Sequence, residues 1–107
     1  MTKYEKKVCD RLWQIKITGG ICSFPGCNRT GNEGHHAVAR RRYLNTRWDI
    51  KNGRALCRDH HLWADTHPEE YAHMILMEIG AVEYETLRLK SQEVVKHFYD
   101  EILEGLK

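Results

Sequence analysis

Two pairs of adjacent histidines, His35-His36 and His60-His61, frame Asn52 and Cys57, and Cys22-Ser-Phe-Pro-Gly-Cys27 lies just upstream. Five of the seven histidines fall between Glu33 and His67. Pro25-Gly26 between two cysteines forces a turn that brings both sulfurs to one side. Two thiolates on such a turn are half of a tetrahedral zinc shell. Cys57-Arg-Asp-His60 supplies a second pair at two-residue spacing. Cys22, Cys27, Cys57 and His60 therefore read as one structural zinc site.

The remaining histidines suit a second, reactive centre. Neighbouring residues of a strand point to opposite faces, so one of His35 and His36 can hold a metal while the other faces water. On a helix, His60 can close the zinc site while His61 turns toward the second ion. Asp65 lies one helical turn beyond His61 and shares its face. His67 is a rival for the same ligand position. A divalent ion acts as Lewis acid and template, and a neutral imidazole is a base near pH 7. Together they equip a site to hydrolyse a phosphodiester. Asn52 reads in two ways: its amide can bridge the two strands of the intervening loop, or Asn52-Gly53 is simply a tight turn.

The elements that must position these residues are short. Tyr4, Val8, Leu12 and Ile15, with Trp13 beside them, predict an N-terminal amphipathic helix over 3–16. Cys9 on or near its apolar face reads as a buried small hydrophobe. Gly19-Gly20 breaks what precedes it, and residues 28–34 are turn-rich. His35-His36-Ala-Val-Ala has extended character, and Trp48-Asp49-Ile50 is an apolar anchor. Arg54–Cys57 reads as a returning strand, with Asp59 capping a helix that starts near His60. Thr66-His-Pro-Glu69 has the pattern of a capping box. The helix it opens buries Tyr71, Met74, Ile75 and Ile79, and Gly80 ends it. A last helix from about Val82 to Leu106 carries Leu87, Val94, Val95, Phe98, Ile102 and Leu106 on one face, widened by Tyr84, Leu89, Tyr99 and Leu103.

A chain of 107 residues is one domain by size, and one this small gains from a metal or a partner subunit. Its 41% hydrophobic and 30% charged content suits a folded soluble protein. No apolar run approaches a membrane span. The first residues have no apolar stretch after their charges, so a secretory signal is not expected and an intracellular location is. In a reducing compartment four cysteines are metal ligands or buried thiols rather than disulfides. The net charge of +2 says little. Its distribution says more: Arg40, Arg41, Arg42, Arg47, Lys51, Arg54 and Arg58 crowd one region, as a phosphate-binding surface would. Read alone, that cluster is equally a solvated loop.

Over roughly Cys22 to His67 the chain resembles the HNH endonucleases, also called ββα-metal or His-Me finger nucleases. The resemblance implies an α+β fold: a ββα-metal core with a structural zinc over 21–67, an N-terminal helix over 1–20 and two C-terminal helices over 68–107. It matches His35 and His61 to metal-ligand positions, His36 to the general base and Asn52 to the middle asparagine. It leaves open whether Asp65 or His67 completes the catalytic metal site. Zinc-bearing members have cysteine pairs where this chain has Cys22, Cys27, Cys57 and His60, although the second pair here ends in histidine. The implied cofactors are a structural Zn²⁺ and one catalytic Mg²⁺, Mn²⁺, Ni²⁺ or Zn²⁺. The implied partner is DNA, with Arg40, Arg41, Arg42 and Arg47 contacting phosphates, which carries no sequence information. The whole chain is similar to small phage or prophage HNH proteins, some linked to recombination and others to packaging. Its C-terminal helices offer apolar area to a second copy or a phage protein. Two other readings stand beside this one. The first is a zinc-stabilised nucleic-acid-binding or adaptor module that cleaves nothing. The second is a purely structural metal domain that binds protein through its last helices.

Overall fold

The structure is a computed structural model that describes residues 1–38, 46–93 and 97–107. Among these residues, five α-helices surround one two-stranded antiparallel hairpin. In chain order they are α1 (Lys3–Ile17), β1 (Glu33–His36), a 3₁₀ turn (Ile50–Asn52), β2 (Gly53–Leu56), α2 (Arg58–Thr66), α3 (Pro68–Ile79), α4 (Ala81–Gln92) and α5 (Tyr99–Leu106). The order β1–β2–α2 gives a ββα-like segment at the centre. None of the described helices is long and apolar enough to cross a membrane.

The hairpin divides the apolar interior in two. On one side Leu56, Cys57, Ala64, Tyr71 and Ile75 pack with Cys22 and Ala37. On the other, Cys9 and Trp13 of α1 pack with Trp48 and Leu106. Strand periodicity explains the division, because alternate residues of β1 serve opposite faces. Gly34 and His36 face α1, while Glu33 and His35 face α2 and α3. The register sets His35 opposite Arg54 and His36 opposite Gly53.

Both edges of the hairpin are covered. At β1 the Gln14 amide stands in for a third strand: Gly34 N–H donates to its Oε1 (2.8 Å) and its Nε2 donates to Gly34 O (3.1 Å). At β2 the Ser23 N–H of the cysteine turn donates to Ala55 O (2.8 Å). An unpaired strand edge is a liability, and here each is closed by an element that also shapes a site. The approach of α1 needs the two glycines beneath it. A Cβ at Gly34 would stand 2.6 Å from Gln14 Oε1, and one at Gly53 would stand 2.7 Å from Ile17 Cδ1.

Several boundaries differ from the sequence expectation. In α1 the buried stripe is Cys9 and Trp13, while Tyr4 and Ile15 are 74% and 62% exposed. The broad Trp13 ring outweighs the aliphatic pattern and turns the helix toward the hairpin. The capping box belongs to α1, where Thr2 and Glu5 bond reciprocally. Thr66 instead closes α2, its hydroxyl donating to Leu62 O; α3 starts after His67 with no side-chain cap. The first strand begins at Glu33, earlier than expected, and α2 begins at Arg58 with Cys57 as its N-cap. Asn52-Gly53 is not a two-residue hairpin turn, because Asn52 ends the 3₁₀ turn and Gly53 opens β2.

The single C-terminal helix is two helices. An unbroken helix over 82–106 would be about 37 Å long, as long as the whole 38 Å molecule. The chain instead leaves α4 at Glu93 in extended conformation and re-enters a helix after Phe98. This lets α4 pack on α3 and α5 pack on α1. Leu87 and Leu106, expected on one continuous face, are buried in different places, and Phe98 is 53% exposed. Val94 and Val95 lie outside the described residues. The α3 expectation is met: Tyr71 and Ile75 are buried, Met74 and Ile79 pack against them, and Gly80 ends the helix at φ +87°.

Candidate functional site

Two clusters of ligand-type side chains flank the ββα segment. The first comprises Cys22, Cys27, Cys57 and His60, whose Sγ and ring nitrogen atoms all lie within 4.8 Å of one another. His60 Nδ1 is 3.5 Å from Cys22 Sγ and 3.3 Å from Cys57 Sγ. A tetrahedral zinc with ordinary Zn–S and Zn–N lengths separates sulfur from nitrogen by about 3.6 Å. The donor set and its spacing therefore fit a structural zinc. Cys22 and Cys27 come from the turn that covers β2, while Cys57 and His60 come from the β2–α2 junction. Phe24 stacks on His60 at 3.9 Å and fixes the ring plane. The backbone N–H of His60 leads the effects that hold the Cys57 thiol below its ordinary value, as expected at the N-cap of a helix. Burial above all raises that of Cys22. Cys9 belongs to neither cluster and is fully buried against α5 and Trp48.

The second cluster is His35, His61 and Asp65, again with candidate ligand atoms within 4.8 Å. His35 Nε2 is 3.0 Å from Asp65 Oδ1, and His61 Nε2 is 3.7 Å from Asp65 Oδ2. The outer ring nitrogens are engaged elsewhere. His35 Nδ1 donates to His36 O (2.9 Å), and His61 Nδ1 pairs with Glu33 Oε1 (2.5 Å). In the neutral tautomers these bonds set, each ring turns an Nε2 lone pair toward Asp65. A carboxylate behind a histidine is the usual support of a metal-binding imidazole. Two imidazoles and a carboxylate fit a divalent ion of the transition series or zinc. Tyr71 packs against the His35 ring at 4.6 Å and 73°.

His67 is not brought into this cluster. Its ring stacks over Trp63, and Nδ1 bonds to Thr66 Oγ1 and Trp63 O where α2 passes into α3. Of the two rivals, only Asp65 stands beside His35 and His61.

His36 faces the other way. Its ring lies parallel to Trp13, with centroids 4.1 Å apart and planes 8° apart. Nε2 donates to Arg47 O (2.9 Å), which makes Nδ1 the basic nitrogen of the neutral ring.

Asn52 is completely buried and bridges the loop. Its Oδ1 accepts from Val38 N–H (2.7 Å), and its Nδ2 donates to Val38 O (2.9 Å) and Thr46 O (3.1 Å). Val38 and Thr46 are thus tied to one amide. Replacing Asn52 by Ala leaves three backbone groups without this partner, the Thr46 carbonyl buried and the two groups of Val38 partly so. At about 1–3 kcal/mol for an unsatisfied buried group, and less for the two nearer water, a loss of roughly 2 kcal/mol or more is expected. Urea unfolding measures it, and a loss under about 1 kcal/mol would mark Asn52 as a plain turn residue.

Among the expected phosphate contacts, Arg40, Arg41 and Arg42 lie outside the described residues. Arg47 is held by Asp10 through Nε–Oδ1 (2.9 Å) and Nη2–Oδ2 (2.7 Å). Arg54 pairs with Glu78 on α3. Lys51 and Arg58 are exposed.

No family model, curated protein or solved structure matches this chain. Glu33 and Tyr71 join the site without having been expected there. For Glu33 a signal existed, since it precedes His35 by two residues and so shares its strand face. Its partner His61 is 28 positions away, and no local pattern announces that pairing.

Proposed function

We propose that this protein is a metal-dependent endonuclease of the HNH kind, hydrolysing DNA phosphodiester bonds. One observation carries the proposal. On a ββα segment, consecutive residues of β1 divide two tasks, His35 joining His61 and Asp65 while His36 faces away with Nε2 held by a backbone carbonyl. The strand ends at His36, and a phosphodiester would lie across that end of the hairpin. His35, His61 and Asp65 would hold the ion, with Glu33 orienting His61. A divalent ion bound there supplies charge stabilisation to the phosphoryl oxygens and the leaving group. His36 Nδ1 takes the proton of the attacking water, and the Arg47 carbonyl keeps the ring in the tautomer that allows this. The Cys22, Cys27, Cys57 and His60 site holds the fold and takes no part in the chemistry. Phosphate contacts fall to the arginine-rich segment.

A non-catalytic nucleic-acid-binding module is the second reading, and one distance favours it. At 3.0 Å, His35 Nε2 and Asp65 satisfy each other without any ion if both His35 nitrogens donate. Supercoiled plasmid decides between the two. After chelator treatment and return of Mg²⁺, Mn²⁺, Ni²⁺ or Zn²⁺, nicked or linear product is expected with at least one ion. Folded, zinc-bearing protein that binds the plasmid and cuts with none of the four would establish the binding module.

A further inference from the structure

We infer that α1 belongs to the active site, with Asp10, Trp13 and Gln14 as positioning residues for His36; this rests on the nuclease reading above. Helix α1 reaches His36 in three ways. Gln14 bonds both backbone groups of Gly34, two residues before His36 on the same face. Trp13 covers one side of the His36 ring. Asp10 grips Arg47, whose carbonyl accepts from His36 Nε2.

The grip covers three consecutive residues. Asp10 Oδ1 also accepts from Trp48 Nε1 (2.9 Å), and Trp13 Nε1 donates to Asp49 O (2.9 Å). Arg47, Trp48 and Asp49 are therefore fastened by Asp10 and Trp13, three residues apart on one helix where side chains align. The glycines at 34 and 53 that admit α1 place its close contact directly behind His36. The stack fixes the plane of the ring, and the anchored carbonyl fixes which nitrogen carries hydrogen. Outer groups of this type fix the tautomer and orientation of metal-binding imidazoles, where losing one commonly costs 10–100-fold, and a loss of that order is expected for His36.

Asp10→Ala tests the assignment with two readouts. On supercoiled plasmid, with an ion that supports wild-type cleavage, kcat is expected to fall at least tenfold while KM and zinc content hold. By ¹⁵N NMR of the imidazole, wild-type His36 is expected as the Nε2–H tautomer and Asp10→Ala as a mixture. Asp10→Asn keeps an acceptor oxygen and should fall between them; it takes the place of Asp10→Ala if that variant does not fold. Ile15→Ala, on the solvent face of α1, should match wild type in both readouts. Wild-type kcat together with a wild-type tautomer in Asp10→Ala would overturn the assignment. If the wild type cleaves nothing, the nuclease reading falls alone. The tautomer comparison then still decides whether α1 sets the His36 ring.

Discussion

Cys57→Ser should cost this chain its zinc and its fold together. The substitution changes little volume, so packing is not the reason. Cys57 directly follows β2, stands at the N-cap of α2 and sits 3.3 Å from His60 Nδ1. Across the cluster lie Cys22 and Cys27, on the turn whose Ser23 N–H covers the edge of β2. The four side chains join the cysteine turn to the junction of β2 and α2. Structural zinc binding is worth about 10–16 kcal/mol in small zinc domains at neutral pH, against a total stability of about 5–15 kcal/mol for a typical domain. A serine hydroxyl does not ionise to replace the thiolate, so most of that linkage is lost. Metal analysis is expected to give one zinc per wild-type chain and well under one for the variant. Thermal unfolding followed by circular dichroism should lose its cooperative transition. Cys9→Ser is the control, since Cys9 is as buried but touches no ligand; it should lose some stability and keep its zinc. Folded wild-type protein free of zinc would refute the prediction.

What the sequence disclosed here is what short spacings can encode. The turn Cys22–Cys27 and the pair Cys57–His60 each lie within a few residues, and the structure brings all four together. The opposed directions of His35 and His36 follow from the period of a strand. The bridging role of Asn52 was legible as one of two alternatives, and its complete burial with three backbone bonds favours the bridge. Contacts between distant segments left no mark. Asp10 with Arg47, Gln14 with Gly34 and Glu33 with His61 are separated by 37, 20 and 28 positions. Each member has a bland local explanation: a helix acid, a helix amide, a strand acid. The orientation of α1 departs from its aliphatic pattern for a related reason. Counting aliphatic positions gives Trp13 no more weight than Ile15, yet burying a tryptophan against a hairpin outweighs a stripe of smaller side chains; truncating such a ring costs about 3–5 kcal/mol. The split between α4 and α5 was hidden because an apolar face of helical period continues through residues that serve two different cores.

His36→Ala and His35→Ala should both abolish most cleavage, for different reasons that kinetics can separate. They are neighbours on one strand, so a general disturbance of β1 would affect them alike. The structure gives them different surroundings. His36 lies on Trp13 and bonds to Arg47 O, with no part in the His35, His61 and Asp65 cluster. Its removal takes away a stacked pair worth about 0.5–1.5 kcal/mol and leaves His35, His61 and Asp65 in place. On the proposed reading kcat then falls by about 10²–10⁴, the usual contribution of a general base. Ion affinity and KM stay near wild type, and no excess of ion restores the rate. His35→Ala removes one nitrogen from the cluster and leaves His61 and Asp65. There the loss should appear first as a weaker ion requirement curve, displaced to higher Mn²⁺ or Mg²⁺, with part of the rate recovered when ion is raised. Single-turnover cleavage of supercoiled plasmid across an ion titration gives both curves. Equal, ion-reversible losses in the two variants would mean that His36 acts through the metal site. Wild-type cleavage by His36→Ala would remove it as the base and leave the His35, His61 and Asp65 cluster to activate water unaided.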